Sequence, residues 1–229
     1  MSVQTKTPYP SAIDIARLKL RGVTYPLERI YLTRIGAHAL LDIGCGYGFM
    51  LDKFSADFDV VGIDVNFESL RIGKQQRPNL RMLQGDAMRL PFRSGSFDAV
   101  HCDHVIEHLT IEQAHGMLLE VVRVLRPGGA LLLGTELTTD HFWDTFSHVR
   151  PYPPSAIKKL LQAKHQENFA TLDALQIERV FYKGKYSKHA PLLWFYRVLS
   201  KLGFFRRDYV MILTKRASAA NDLPTYARN

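Results

Sequence analysis

Cysteine is scarce. Only Cys45 and Cys102 occur in 229 residues, so no disulfide framework holds the fold and a reducing, cytoplasmic setting is expected. Long apolar runs are missing too, since nothing approaches the roughly 18 residues that a membrane-crossing helix needs. The first twenty residues include Pro8, Pro10 and Asp14 and lack the apolar block of a secretory leader. There is no internal repeat, low-complexity tract or Gly/Ser linker. A composition of 46% hydrophobic and 23% charged residues excludes wholesale disorder. One α/β domain is ordinary for this length. Acidic residues run short in one place: residues 150–229 hold 15 Lys and Arg against 5 Asp and Glu, whereas residues 1–149 hold 15 against 17. Such a basic segment suits a phosphate-bearing substrate, an acidic lipid surface or nucleic acid, or is simply a solvated surface.

What the chain does contain is alternation. Apolar β-type runs at Ala39–Ile43, Val60–Asp64, Leu80–Leu83, Phe97–Cys102 and Ala130–Thr135 are separated by helical patterns near 47–55, 67–77 and 111–125. That order predicts a parallel sheet covered on both faces. Ile111, Ala114, Met117, Leu118, Val121, Val122 and Leu125 keep a 3.6-residue period, and Arg126-Pro127-Gly128-Gly129 is read as the turn that ends their helix. Further on, Tyr152-Pro153-Pro154-Ser155 starts a helix whose buried stripe is Ile157, Leu160 and Leu161. Strands follow at 171–183 and 207–215, with a short apolar helix at Leu192–Leu202 between them. The expected organisation is a single domain over 1–229: an N-terminal helical segment to residue 36, a cofactor-binding core at 37–135, and an acceptor-side part at 136–229.

The sharpest motif is Leu41-Asp42-Ile43-Gly44-Cys45-Gly46-Tyr47-Gly48-Phe49-Met50, a strand entering a glycine-rich turn and then a helix. Glycines belong where a ligand lies against bare backbone. Twenty residues past Gly44, the second strand ends in Asp64, where an acid accepts both hydroxyls of a ribose. Asp86, in Leu83-Gln84-Gly85-Asp86-Ala87, brings a second acid to the same sheet edge. Gly95-Ser96-Phe97-Asp98 opens the fourth strand and Leu125-Arg126-Pro127-Gly128-Gly129 precedes the fifth. A dinucleotide fingerprint would require its third glycine at Phe49, which argues against a pyrophosphate ligand.

In this ordered set the chain resembles the class I S-adenosylmethionine-dependent methyltransferases, in particular the branch with small-molecule and lipid-quinone acceptors. The resemblance covers Leu40 to Thr135 well and the remainder in outline. It implies a doubly wound, Rossmann-like sheet of seven strands, mostly parallel with the last antiparallel, and S-adenosylmethionine as cofactor. It further implies that Gly44, Gly46 and Gly48 pass under the methionine and ribose. Asp42 would hold the amino group through water, Asp64 the ribose and Asp86 the adenine amino group. Ala87 would offer its N–H to the ring, Val65 would pack on the adenine, and the backbone at Asp103 would meet the methionine end.

His101-Cys102-Asp103-His104-Val105-Ile106-Glu107-His108 falls beside the expected sulfonium, with His104, Glu107 and His108 at helical spacing. Some quinone-precursor methyltransferases carry Glu-x-x-Glu-His here and bind a divalent ion. This chain has His104 in place of the first Glu, so no metal is expected; Glu107 and His108 are read as bracing the helix start. After the fifth strand, Trp143 and Tyr152 are expected to wall the acceptor pocket, His148 or His108 to act as base, and Arg150 to meet an anionic group. The acceptor is a small or lipid-linked molecule. An RNA methyltransferase and a non-catalytic cofactor-binding module remain alternatives, although no Asn-Pro-Pro-Tyr-type motif follows strand four and nucleic acid is not the expected partner. In 183–207, basic residues surround Trp194, Phe195 and Tyr196, a pattern that suits peripheral contact with an anionic membrane or a cap over the pocket.

Overall fold

The computed structural model describes residues 26–162, 169, 172–184 and 206–217. Within them the order is α1 (Pro26–Arg34), β1 (Ala39–Ile43), α2 (Phe49–Phe54), β2 (Asp59–Asp64), α3 (Phe67–Gln76), β3 (Met82–Gln84) and β4 (Phe97–Asp103). A 3₁₀ turn (Ile106–His108), α4 (Ile111–Val124), β5 (Leu125–Glu136), α5 (Asp140–Asp144), α6 (Pro154–Gln162), β6 (Leu175–Gly184) and β7 (Arg206–Lys215) follow. The expected N-terminal helix before residue 26 and the Leu192–Leu202 helix lie outside the described residues.

All seven strands form one sheet of order β3-β2-β1-β4-β5-β7-β6. Neighbours from β3 to β5 pair in parallel, and β7 runs antiparallel to both β5 and β6. The C-terminal strands thus complete the same sheet as the first five. The order reverses between β1 and β4, the crevice where doubly wound sheets bind ligands.

Alternating side chains feed two cores. On one face Leu40, Val60, Ala99, Ala130, Leu132 and Ile212 pack with Tyr31 and Leu32 of α1, Leu51 and Phe54 of α2, and Leu70 of α3. On the other, Leu41, Ile43, Val100, Cys102, Leu131 and Leu133 meet Met117, Leu118 and Val121 of α4 and Ile157 and Leu161 of α6. Both cysteines are buried and unpaired with each other. A capping box starts α4: Gln113 N–H donates to Thr110 Oγ1, and the Gln113 side chain returns to Thr110 N–H.

Three boundaries differ from the sequence reading, each for a physical reason. Leu80 is buried but precedes β3; its N–H donates to Arg77 O, so its apolarity marks core rather than strand. Pro127-Gly128-Gly129 does not simply end α4. The helix stops at Val124, and Leu125 already pairs with Phe97 before the register shifts to Ala99 opposite Ala130. Arg126, in that irregular stretch, reaches Asp98, whose carboxylate also accepts from His38 and Ala39 N–H. These two motifs therefore clamp the sheet edge away from the glycine turn. Third, Ile111 is exposed, while Leu125 of the same periodic set belongs to β5.

Tyr152 is a correction of another kind. It is buried, its hydroxyl lies 3.0 Å from Leu109 O and 2.9 Å from Thr110 O, and its own carbonyl accepts from the Tyr209 hydroxyl of β7. It ties three elements together instead of walling a pocket. We expect Tyr209→Phe, which leaves that buried carbonyl without its donor, to lower stability by about 1–2 kcal/mol in urea denaturation. An unchanged midpoint would mean the tie carries nothing.

Candidate functional site

At or next to their C-terminal ends the parallel strands each carry a polar residue: Asp42 in β1, Asp64 in β2, Gln84 in β3, Asp103 in β4 and Glu136 in β5. Gly44, Gly46 and Gly48 of the turn after β1 all have positive φ. At Gly46 (φ +50) a Cβ would meet nothing within 4 Å, so the backbone faces open space. A Cβ at Gly44 would instead fall 2.2 Å from Val105, so this glycine permits close packing of the segment after β4.

Asp64 borders the open space over Gly46. Its Oδ2 accepts from Gly46 N–H at 2.8 Å and its Oδ1 from Asn66 N–H at 2.8 Å, which fixes the carboxylate while leaving further lone pairs. Gly85 N–H donates to Asp64 O, and Gln84 reaches Val65 O, so the ends of β2 and β3 are laced together. Val65 is exposed at this edge. Asp86, also exposed, receives Met88 N–H at 2.9 Å, and Ala87 packs half-buried against the core.

Asp42 is fully enclosed. Its Oδ1 lies 2.7 Å from Nδ1 of His101, its register partner on β4, and its Oδ2 is buried without a hydrogen-bond partner among the described residues. Burial raises the Asp42 carboxyl above the ordinary carboxylate range, partly offset by His101. Burial alone would lower the His101 imidazole, but the charge and hydrogen bond of Asp42 hold it above its ordinary value. Asp103 stands on the same face, packed so closely on Gly134 that a Cβ there would fall 1.7 Å from Oδ1.

Next along the chain, His104 adopts φ +55, the one positive φ outside glycine among the described residues. Its N–H donates to Gly134 O at 3.1 Å and its Nδ1 lies 2.9 Å from Glu107 Oε1. Glu107 is completely buried: Oε2 accepts from Thr135 Oγ1 at 2.8 Å, and its carbonyl accepts from Val149 and Arg150 N–H. This carboxylate joins the turn after β4, the end of β5 and the loop after α5. The sequence reading of Glu107 as a brace understated it, because Thr135 and the 149–150 backbone are remote in sequence.

The same loop sets His148 beside His108, with ring centroids 5.0 Å apart. His108 Nδ1 lies 2.9 Å from Ser147 O and His148 Nδ1 lies 3.0 Å from Phe142 O. A carbonyl only accepts, so each Nδ1 carries the hydrogen and Nε2 is the ring nitrogen left for another partner. Ligand atoms of Glu107, His108 and His148 lie within 4.8 Å of one another and could hold a metal ion; both Glu107 oxygens, however, already have partners. Trp143 of α5 and Phe146 on this loop are exposed, and the Arg150 guanidinium lies over the Tyr152 ring. His101 was missed in the sequence, where the available signal was a histidine two residues from Ala99 and Asp103, hence facing the Asp42 side of a buried strand.

Such a sheet, with a glycine turn at its switch point ringed by carboxylates, defines a doubly wound protein built to bind an adenosyl-type ligand without a pyrophosphate. Residues 41–133 match the methyltransferase domain family. A demethylmenaquinone methyltransferase of Renibacterium salmoninarum is 33% identical over 116 residues, 49% of this chain and 48% of that protein, so the chain spans about half the length of this relative. Another demethylmenaquinone methyltransferase, from Lactococcus lactis, is 30% identical over 183 residues, covering 66% of this chain and 68% of that protein. In fold, an Archaeoglobus fulgidus SAM-dependent methyltransferase superposes with a TM-score of 0.58 at 22% identity, over 90% of this chain and all (100%) of that one. The chain belongs to the S-adenosylmethionine-dependent methyltransferase family, alongside these menaquinone-type relatives.

The His104–Glu107 contact yields a pH test. Its hydrogen bond to Glu107, reinforced by Asp103 and opposed by burial, raises the His104 imidazole from 6.5 to about 9. A raised pKa contributes stability that is fully present below about pH 6.5 and disappears as pH rises through about 9. We expect unfolding free energy to fall across that window. In His104→Asn, which tolerates positive φ, the fall should vanish. An identical slope in both proteins would dismiss the contact.

Proposed function

We propose that this chain transfers the methyl group of S-adenosylmethionine to an O, N or C nucleophile of a small-molecule or lipid-linked acceptor. The observation that carries this reading is the constellation around Gly46: open space over its backbone, Asp64 beside it, and the buried, unsatisfied Oδ2 of Asp42. A ligand with a hydroxylated ring and an ammonium matches that donor and acceptor set. Bound there, the cofactor supplies an electrophilic sulfonium methyl.

Under this reading the turn of Gly44, Gly46 and Gly48 passes beneath the ligand, Gly46 leaving the room for it while Gly44 packs on Val105 and Gly48 on Leu80 and Met82; Asp42 takes the ammonium and Asp64 the ribose hydroxyls. Asp86, Ala87 and Val65 form the adenine end, and Asp103 borders the methionine end. His108 and His148 serve the acceptor, because their Nε2 atoms remain free to accept a proton or a hydrogen bond once Nδ1 is committed. Residues 37–135 then hold the cofactor and the part from 136 onward completes the acceptor side. A quinol-like ring is the acceptor that the names of the relatives favour. Such lipid-linked substrates suit the exposed Trp143 and Phe146, and Arg150 would meet an anionic group. No described helix is long and apolar enough to cross a membrane. Peripheral contact with anionic lipid through residues 183–207, which extend outside the described residues, fits a lipid-linked acceptor.

Two substitutions test the cofactor site. Asp64→Ala is expected to weaken S-adenosylhomocysteine binding by about 2 kcal/mol, since a carboxylate taking two hydroxyls makes charge-assisted bonds. Gly46→Val should abolish it, and unchanged calorimetric affinity in either folded variant sinks the site. On the acceptor side, His108→Ala or His148→Ala should lower turnover by roughly a hundredfold or more while cofactor affinity stays within about threefold. Turnover is expected to survive EDTA; its loss would assign the Glu107–His108–His148 cluster to a metal instead.

A further inference from the structure

We infer that His101 is a positioning residue for the amino-acid end of the cofactor: it holds the Asp42 carboxylate turned so that Oδ2 receives the ammonium. The inference rests on the methyl-donor reading above. Asp42 and His101 are register neighbours on the two central parallel strands, their side chains both 3% exposed. On that face their same-side strand neighbours Leu40 and Ala99 belong to a buried apolar cluster, so this pair adjoins an otherwise apolar layer. The His101 and Phe54 rings pack in a T-shaped contact, centroids 5.1 Å apart.

The geometry divides the two carboxylate oxygens between two tasks. Nδ1 of His101 engages Oδ1 at 2.7 Å, while Oδ2 stays buried and unsatisfied. A carboxylate torsion is intrinsically broad, so a fixed partner on one oxygen is what aims the other. An enclosed carboxyl with no partner would also favour its neutral form, a poor acceptor for an ammonium. His101 opposes that drift; of the charges facing the pair, Glu28 from α1 and Asp103 from β4 favour a protonated His101, whereas Asp103 and Asp64 from β2 act against the ionised Asp42, which leaves His101 as its stabilising partner. A purely structural pair would stabilise the sheet without distinguishing one part of a ligand from another.

That difference supplies the test. S-adenosylhomocysteine and 5′-methylthioadenosine share adenosine and a thioether, but only the first carries the amino-acid end. Titration calorimetry on the full chain would compare both ligands with wild type, His101→Leu and His101→Gln. The leucine variant should lose on the order of tenfold or more in S-adenosylhomocysteine affinity while holding 5′-methylthioadenosine within about threefold. Glutamine, whose amide N–H can donate to Oδ1, should recover part of the loss. Equal losses for both ligands, or none for either, overturn the inference. Failure of wild type to bind either ligand overturns the methyl-donor reading beneath it. If the leucine variant does not fold, ¹⁵N-histidine spectra of wild type decide: His101 signals should move with S-adenosylhomocysteine and stay with 5′-methylthioadenosine. Identical movement with both contradicts the assignment.

Discussion

A sheet buried on both faces cannot afford polar side chains along its strands, and this constraint organises the molecule. β1, β4 and β5 are mostly apolar through their middles, His101 of β4 excepted, and Asp42, Asp103 and Glu136 stand at or next to their C-terminal ends. Because the strands from β3 to β5 are parallel, those positions fall on one edge, and the order reversal between β1 and β4 opens a crevice there. Polar groups collect at that edge because it is the end of the sheet at which the central strands meet loops. The opposite edge is held by a different set, with Asp98, Arg126 and the first residues of β1 closing the start of the strands.

Charges at such an edge are costly unless they are braced, and two bracing systems run side by side. One is the Asp42–His101 pair, buried where β1 and β4 lie side by side. The other is Glu107, whose carboxylate ties His104 to Thr135 and whose carbonyl holds the backbone at Val149 and Arg150. Through that carbonyl the loop bearing His148 is fixed against the turn bearing His108. Removing one partner from a buried charged pair generally costs more than the pair contributes, since it strands the other charge. Both systems therefore carry stability and site geometry in the same atoms, and substitutions there need a readout that separates the two.

Much of this arrangement was legible in the sequence because local signals carried it. The glycine turn, the acid closing β2 and the 3.6-residue stripe of α4 are short-range patterns, and the structure puts them on the expected elements. Boundaries failed where tertiary contacts overrode local character: Leu80 is apolar for the core and not for β3, and Pro127-Gly128-Gly129 lies inside the irregular start of β5. Tyr152 looked like a pocket wall because it stands in an aromatic, histidine-rich loop, yet its hydroxyl reaches carbonyls at Leu109 and Thr110. His101 was hidden for the converse reason: its partner is 59 residues away, and only strand register brings them together.

The central claim is that the crevice between β1 and β4 is the methyl-donor site. A crystal structure of the chain with S-adenosylhomocysteine tests it most directly. The account expects the ligand to cross the backbone at Gly46, with its ribose hydroxyls on Asp64 and its ammonium on Asp42 Oδ2. Ligand density elsewhere, such as the groove lined by Phe67, Leu70 and Met82 between α3 and β3, would contradict it.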